Sequence, residues 1–531
     1  MRGRLDLRGE HHTSRRRQDE IRGQLELAGS SVRHLRECLQ DLGPIFQLFG
    51  LYLSTRVDLL PAMDCLELGL ISDAGQPTPY DALLNVIEIG LGREPQAVFG
   101  SIEETPFQCS HLWQWHRAQL LDGTPVDVKI AHPEFPVEME QLSMLGLLTE
   151  TLERIGIPLA GINHAIANFT EVLPEKYDVT REAAALQSEV GEAAHFDSMT
   201  VICHASGPGV LTILRADDIS LASVLAAALA PGSNLTMLRG GSAVHKGELA
   251  YQLCKAWLRS VFAGRLYAVD QDPQEVGLQS GPRIVRKSGR FANLPEGSNS
   301  NLWNYLTAVC AMNPDRAQSL LTKELHANLT EAANHELLQR FRQVVPFRDG
   351  GWSLSGANAS LAETMFVQWR LASTRGLLPG RELTDFYRGL FSVAKLAYSL
   401  APERDVLAEA VRDGRLAFGL ESLNGFLTPE KVREQADQYS ELVATFPQMF
   451  DEFLAVASTR DWSAGNGQAN GGPSRASSSN VVLGWILGVI AILVLANHFY
   501  PDLKVVLLNS PISAIVFLVA GVMALRMIDV T

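Results

Sequence analysis

Apolar residues recur at helical spacing over much of the chain. The stretches with this spacing are Leu35–Leu60, Thr78–Leu91, Val137–Ile155, Tyr177–Phe196 and most of Leu221–Ala457. The first is interrupted at Gly43-Pro44, where proline favours the start of a new helix, and Gly92 ends the second. The pattern therefore predicts a chain that is mainly helical.

A shorter pattern separates the early helices. From Phe99 to Ile130 the apolar clusters become short. Those around Leu112–Trp115 and Val126–Ile130 flank the turn Asp122-Gly123, which predicts a hairpin of a small sheet. Val210–Leu214 is a further short strand. A small sheet with one or two helices, followed by a large helical region, predicts an α+β, bilobal, protein-kinase-like fold with a sheet-containing N-lobe and a helical C-lobe.

Two uncharged stretches lie near the C-terminus. Val481–Tyr500 and Val505–Leu525 are each long enough to cross a hydrocarbon core of about 30 Å as a helix, and only four residues separate them. We expect a transmembrane helical hairpin, with a buried helical pair in a soluble core as the alternative. Arg475 before the hairpin and Arg526 after it place both ends on the cytoplasmic side by the positive-inside rule.

Composition narrows the function classes. The chain has 531 residues, 46% of them apolar, which allows two to four domains with well-buried cores. Its formal net charge of -14 argues against a nucleic-acid partner, because phosphate binding rests on clustered positive charge. The arginine-rich start, Met1–Arg36, predicts a solvated tail or, beside a membrane, a segment attracted to anionic lipid.

The cysteines have no spacing typical of a disulfide framework or a zinc site. They are Cys38, Cys65, Cys109, Cys203, Cys254 and Cys310. Their scatter favours a reducing compartment, and the charged N-terminus shows no apolar core of a secretory signal.

These patterns divide the chain into six parts. They are a basic tail (1–34), an N-terminal helical extension (35–100), a kinase-like N-lobe (101–220), a helical C-lobe (221–460), a flexible linker rich in Gly, Ser and Asn (461–480) and two transmembrane helices (481–526).

Several motifs resemble those of the UbiB family of atypical kinase-like proteins. Leu42–Arg56 (LGPIFQLFGLYLSTR) is similar to the family's N-terminal signature: Gly50 and Leu53–Arg56 match, whereas Leu48 and Leu51 stand where the signature has lysine and glutamine. The likeness continues through the family's alanine-rich loop. There Gln114, His116 and Ala118 match, and the small loop residues are replaced by Gln108, Cys109, Ser110 and His111.

The strand Val126–Ile130 resembles the one that carries the kinase lysine, here Lys129. The helix Lys176–Ala184 resembles the family's Glu-x-Asp helix. Its Asp178, Arg181 and Glu182 match. On this alignment Lys176 stands where the family has the glutamate that pairs with the strand lysine. Lys129 and Lys176 are therefore expected to face and repel each other across the cleft.

Tyr267–Pro273 (YAVDQDP) resembles the family's catalytic loop, and its Asp270 and Pro273 match. Other positions of the family's motifs are changed. Ala268 and Asp272 replace the two histidines of the family's catalytic loop, and Glu275 replaces its asparagine. Lys287 replaces the aspartate of the metal-binding Asp-x-Gly motif. Phosphoryl transfer depends on positioning and charge compensation, so losing both metal positions removes most of what the reaction needs.

The resemblance implies Lys129 as the nucleotide-binding residue and Asp270 as the catalytic residue, vestigial in this chain, with no metal ligands. ATP is the implied cofactor and magnesium is not expected. The alternatives are a solvated Lys129 on an edge strand and an Asp270 that only caps a loop. His111 and His116 are expected to be hydrogen-bonded surface residues.

The resemblance implies a membrane-anchored pseudokinase that supports ubiquinone (polyprenyl quinone) biosynthesis or handles lipid intermediates at the cytoplasmic face of a bacterial inner membrane. The implied partners are the lipid bilayer, quinone-pathway proteins and prenylated lipid intermediates. One alternative is an active UbiB-type ATPase or small-molecule kinase with metal ligands shifted to Asp272 and Glu275. The other is a membrane-tethered regulatory scaffold unrelated to quinones.

Overall fold

The computed structural model describes part of the chain. The described residues are 31–190, 198–200, 203–215, 218–228, 235–237, 243–263, 265–279, 283–295, 297–327, 329–344 and 360–414. All belong to the first of two units, Met1–Val432. Within these ranges no helix has the length and apolar character needed to cross a bilayer. The predicted linker and hairpin, 461–526, lie outside the described residues, and the six predicted domain boundaries stay predictions.

The N-terminal extension is helical, as the apolar spacing predicts. Its helices are α1 (Val32–Leu42), α2 (Pro44–Leu53), α3 (Ala62–Leu68) and α4 (Tyr80–Leu91). Pro44 is the first residue of α2, where its missing N–H has no partner to lose. Gly92 follows α4 with a φ of 65°, the left-handed conformation that glycine adopts without a steric penalty.

The sheet of the N-lobe contains the predicted hairpin. Its strands are β1 (Phe99–Ile102), β2 (Gln108–Cys109), β3 (Trp113–Leu120), β4 (Pro125–Ala131), β6 (Cys203–Gly207) and β7 (Val210–Leu214), in the order β1-β3-β4-β7-β6 with β2 beside β3. In the hairpin turn, Asp122 accepts a hydrogen bond from the Thr124 N–H at 2.9 Å. Because β4 lies between β3 and β7, Lys129 is on a central strand, and the alternative that placed it on an edge strand was wrong.

Two segments differ from the predicted long helices. Between β4 and β5 (Ser198–Thr200) the chain forms α5 (Phe135–Glu138), a 3₁₀ helix (Met139–Leu148), α6 (Thr149–Arg154), α7 (Leu159–Tyr177) and α8 (Val179–Val190). A single helix was expected to start at Tyr177. Instead α7 ends there, because Asp178 is extended and its carboxylate accepts the Thr180 N–H at 3.0 Å.

The chain between Ile219 and Ala292 contains strands that helical spacing did not predict. They are β8 (Ile219–Ser220), β9 (Leu235–Met237), β10 (Ala243–His245), β11 (Tyr267–Ala268), β12 (Val276–Gln279), β13 (Arg283–Arg286) and β14 (Phe291–Ala292). β12 and β13 form an antiparallel pair, and β11 pairs with β14. Strands this short have too few residues to show an alternating pattern in the sequence.

The remaining described elements of the C-lobe are helices, as expected. They are α9 (Leu221–Ala228), α10 (Lys246–Phe262), α11 (Ser298–Cys310), α12 (Pro314–Glu324), α13 (Glu331–Gln343), α14 (Leu361–Ser373) and α15 (Arg381–Leu400). α15 packs close to α10 at Gly389, where a Cβ atom would come within 2.9 Å of the Trp257 ring and 3.0 Å of the Ala268 carbonyl oxygen. This close approach brings the neighbouring Arg388 to the loop that follows β11.

Candidate functional site

Lys129 points from the middle of β4 into a buried cluster of polar groups. Its ammonium nitrogen lies 2.8 Å from Glu182 Oε2 and 2.9 Å from Ser288 Oγ, and 3.9 Å from Glu275 Oε1. The side chain is only 1% exposed. A buried ammonium group is costly without such partners, so this cluster satisfies a charge that water does not reach. The alternative of a solvated Lys129 was wrong.

Two tryptophans of β3 cover the same ammonium group. Lys129 Nζ lies 3.7 Å from the centre of the Trp113 ring and 5.5 Å from that of Trp115. Residues two apart on a strand share one face of the sheet, so the Trp-Gln-Trp spacing presents both rings to Lys129. This cation–π contact was not expected from the sequence, although the spacing was visible there.

The partner of Lys129 is Glu182, which corrects the expectation that Lys176 holds that position. Lys176 lies in the last turn of α7, with its ammonium nitrogen 5.8 Å from the Trp113 ring centre. The break at Asp178 starts a new helix, and Glu182 lies in the first turn of α8. Its second oxygen accepts the Gly289 N–H at 3.0 Å. The expected pairing of two repelling lysines is replaced by an ordinary lysine–glutamate pair.

Asp270 is bound to an arginine of α15. Both of its carboxylate oxygens accept hydrogen bonds from Arg388 Nη2, at 2.8 and 3.0 Å. Arg388 also donates to Thr55 Oγ1 at 2.8 Å, and its guanidinium lies 4.6 Å from the Tyr52 ring centre. Burial acts to raise the pKa of Asp270, but the charge of Arg388, aided by Lys176, holds the pKa below its usual value. Arg388 is a site residue that no sequence motif indicated.

The residues at the family's metal-ligand positions, Lys287 and Glu275, make contacts with other protein groups. Lys287 forms an ion pair with Asp218 at 2.7 Å, and Glu275 accepts a hydrogen bond from Ser288 Oγ at 2.8 Å. Burial raises the pKa of Glu275 to about 7, against the lowering effect of Lys129. In the part of the chain that the structure describes, no group of three or more His, Cys, Asp or Glu side chains could hold a metal ion.

The two histidines differ from the expected surface residues. His116 is fully buried, with Nδ1 2.7 Å from the Glu103 carbonyl oxygen and Nε2 2.8 Å from the Gln114 side-chain nitrogen. Burial lowers the pKa of His116 and of the half-buried His111. His116 therefore has a structural role within the hairpin.

The cleft between the sheet and the catalytic loop encloses about 370 Å³, and we call it the cleft cavity. Its charged lining residues include Lys129, Lys176, Glu182, Asp270 and Glu275. This set does not fit a magnesium–nucleotide complex. The ammonium group that would hold phosphates is covered by the Trp113 ring, and Asp270 is bound to Arg388.

The comparisons with known proteins agree with the motifs. Residues 70–321 match the ABC1 atypical kinase-like domain. The probable protein kinase UbiB of Pseudomonas paraeruginosa is 34% identical over 166 residues, which is 31% of each chain. Its namesake in Pseudomonas fluorescens is 36% identical over 167 residues, again 31% of each chain. The aligned part therefore spans about a third of these relatives' length.

One solved structure shows a weaker likeness. The complex of Rv3197 with erythromycin from Mycobacterium tuberculosis aligns with a TM-score of 0.40 at 17% identity, over 62% of this chain and 82% of that chain. At this TM-score the likeness supports no argument about the present chain.

The sheet-containing lobe with its buried lysine–glutamate pair and the helical lobe define an atypical kinase-like protein, and the ABC1 match supports this fold. Residues 70–321 form an ABC1 atypical kinase-like domain, and the chain is similar to UbiB proteins.

Proposed function

We propose that this protein is a membrane-anchored UbiB-like pseudokinase. Its role is to support polyprenyl quinone biosynthesis, or to handle lipid intermediates of that kind, with little or no phosphoryl transfer. The quinone setting comes from the family, and the low activity comes from the geometry of the cleft cavity. The partners are a bilayer, proteins of the quinone pathway or prenylated intermediates, and no nucleic acid.

The single observation that carries the proposal is the buried and covered environment of the Lys129 ammonium group. In a working kinase the strand lysine holds nucleotide phosphates. The pair with Glu182 is also part of an active kinase site, so it does not by itself oppose catalysis. The ammonium group is in addition bound to Ser288 Oγ, covered by the Trp113 ring at 3.7 Å and only 1% exposed. A phosphate group would have to compete with these contacts.

The loop side supports the same conclusion. Asp270 would have to leave Arg388 before it could accept a proton from a nucleophile, and its low pKa makes it a weak base. An active ATPase that uses Asp272 and Glu275 as metal ligands is the competing function. Against it, the Glu275 carboxylate is directed to Ser288 and lies near Lys129.

Membrane attachment through residues 481–526 belongs to this proposal. The argument is the length and lack of charge of the two stretches in the sequence. Reporter fusions after Trp462 and after Thr531 should both report the cytoplasm of a bacterial host. Reporters on opposite sides of the membrane would contradict the hairpin.

The function is tested by complementation in a bacterium from which the gene has been deleted. Deletion should lower the quinone content, and both the wild-type gene and Asp270→Asn should restore it. Immunoblotting checks that the variant accumulates to wild-type level. An accumulated Asp270→Asn protein that fails to restore quinone would overturn the pseudokinase proposal, and an unchanged quinone content after deletion would favour a scaffold unrelated to quinones.

A further inference from the structure

A second cavity, of about 430 Å³, lies between the N-terminal extension and the catalytic loop. We call it the extension cavity, and its volume is in the range of small-molecule sites. One wall comes from α2 and α7 and is largely apolar, with Leu48, Leu51, Tyr52, Phe169, Val172 and Leu173. The loop 270–274 and α15 contribute polar lining residues, which we call the polar wall. The cavity is therefore amphipathic.

Three departures from the UbiB signatures line this one cavity. Leu48 and Leu51 replace the signature's lysine and glutamine, and Lys176 replaces the first residue of the Glu-x-Asp motif. Two polar groups have become apolar and an expected anion has become a cation. Together these changes convert one wall into an apolar surface with a positive charge at its edge.

The polar wall contributes a second ammonium group, that of Lys395 on α15. Among the residues that the structure describes, the side chains of Lys176 and Lys395 form no hydrogen bond and no ion pair within 4 Å. Burial lowers the pKa of Lys395, and the charges of Asp272 and Asp270 oppose that effect. Arg388 already binds Asp270, and Asp272 accepts a hydrogen bond from the Gln274 N–H, so a carboxylate from a ligand is a suitable partner for these two lysines.

We propose that the extension cavity binds an amphipathic carboxylate, whose apolar body packs on Leu48 and Leu51 and whose carboxylate binds Lys176 and Lys395. This inference rests on the lipid-handling part of the proposed function and is independent of its catalytic part. ATP turnover, measured on the same preparations, distinguishes the failure of the pseudokinase proposal from the failure of the ligand site. Turnover would contradict the pseudokinase proposal and would not contradict ligand binding in the extension cavity.

The test uses the full chain in lipid nanodiscs and 4-pentylbenzoate as the probe. Cys109 lines the cavity and is partly exposed, so a bound ligand should protect its thiol from maleimide. Peptide mass spectrometry quantifies labelling at that residue. The comparison compound is 4-pentylbenzyl alcohol, which has the same apolar body and no charge. 4-Pentylbenzoate should protect Cys109 at a concentration about tenfold lower than the alcohol, as expected for a charge-assisted contact.

Variants test whether the protection of Cys109 comes from ligand binding in the extension cavity. Lys395→Met should raise the protecting concentration of 4-pentylbenzoate about tenfold. Leu51→Gln and the pair Leu48→Lys/Leu51→Gln should weaken protection by both probes, because they return polar groups to the apolar wall. Lys255→Met, on α10 outside the cavity lining, is the matched control and should change nothing. Equal protection by the two probes, no protection by the carboxylate, or an unchanged Lys395→Met would each overturn the proposal.

Discussion

The two sides of the cleft cavity have diverged from a working kinase to different degrees. On the sheet side, Lys129 keeps a buried glutamate partner at 2.8 Å. On the loop side, Asp270 is bound by Arg388 and Lys287 is paired with Asp218. A lysine–glutamate pair neutralises a buried charge and is also part of an active kinase site, whereas metal ligands serve phosphoryl transfer alone. The sheet side therefore keeps a feature of a working kinase, and the loop side has lost its metal ligands.

The largest effect is expected from breaking the retained pair. Glu182→Gln leaves the Lys129 ammonium group buried, and among the described residues its remaining ion-pair partner is Glu275, at 3.9 Å. We expect the free energy of unfolding to fall by about 3–5 kcal/mol, measured by urea denaturation at pH 7. The matched control is Glu150→Gln, which removes an exposed pair with Arg154 and should cost less than about 0.5 kcal/mol. A similar small loss for both variants would contradict a structural role for Glu182.

The next largest effect is a dependence of the free energy of unfolding on pH through Glu275. Burial raises the pKa of Glu275 from 4.5 to about 7, so the folded state favours its protonated form. This contribution to stability is fully present below pH 4.5 and is lost as the pH rises through about 7. Between pH 5 and pH 8 the wild type should lose roughly 1–3 kcal/mol that Glu275→Gln does not lose. Urea denaturation at both pH values measures it, with exposed Glu88→Gln as the control, and parallel losses in wild type and Glu275→Gln would exclude this titration.

A smaller loss is expected on the loop side. Asp270→Asn weakens the contact with Arg388, which still has Asp385 at 3.4 Å, so we expect a cost of about 1–2 kcal/mol at pH 7. The folded-state pKa of Asp270 is lowered, so its contribution is present above the unfolded pKa of about 3.9 and is lost as the pH falls below it. The difference between variant and wild type should therefore shrink on acidification. Asp315→Asn, in an exposed pair with Arg342, serves as the control; a constant difference down to pH 3 would contradict the ion pair.

The smallest effect is predicted for Lys176→Glu. Because Lys129 already has Glu182, the new carboxylate gains no lysine partner there, and the attraction between Lys176 and Asp270 is lost, so stability should fall by no more than about 1 kcal/mol. A gain well above 1 kcal/mol would mean that position 176 does face Lys129. The same denaturation assay decides it, and ATP turnover should stay absent.

The sequence predicted best what depends on neighbouring residues. The hairpin of β3 and β4 follows from a turn and two apolar clusters, and the start of α2 follows from Pro44. The motif likeness placed Lys129 on the correct strand. These features are local, so a short stretch of sequence determines them.

The errors and omissions come from contacts between distant segments. The helix break at Asp178 decides that Glu182, not Lys176, reaches Lys129, and it is a backbone conformation that apolar spacing does not report. Arg388 is 118 residues from Asp270 in the chain, and only the packing of α15 brings the two together. The burial of Lys129 depends in the same way on β7, which makes β4 a central strand.

The central claim is that the cleft cavity no longer serves magnesium-dependent phosphoryl transfer. It is tested most directly by the thermal unfolding midpoint of the full chain, titrated with ATP with and without magnesium. A ligand at about 100 times its Kd stabilises the folded state by about 2.7 kcal/mol, so real binding would be visible. We predict no shift, or a small shift that is the same with and without the metal. A large increase in the midpoint with magnesium–ATP but not with metal-free ATP would contradict this account.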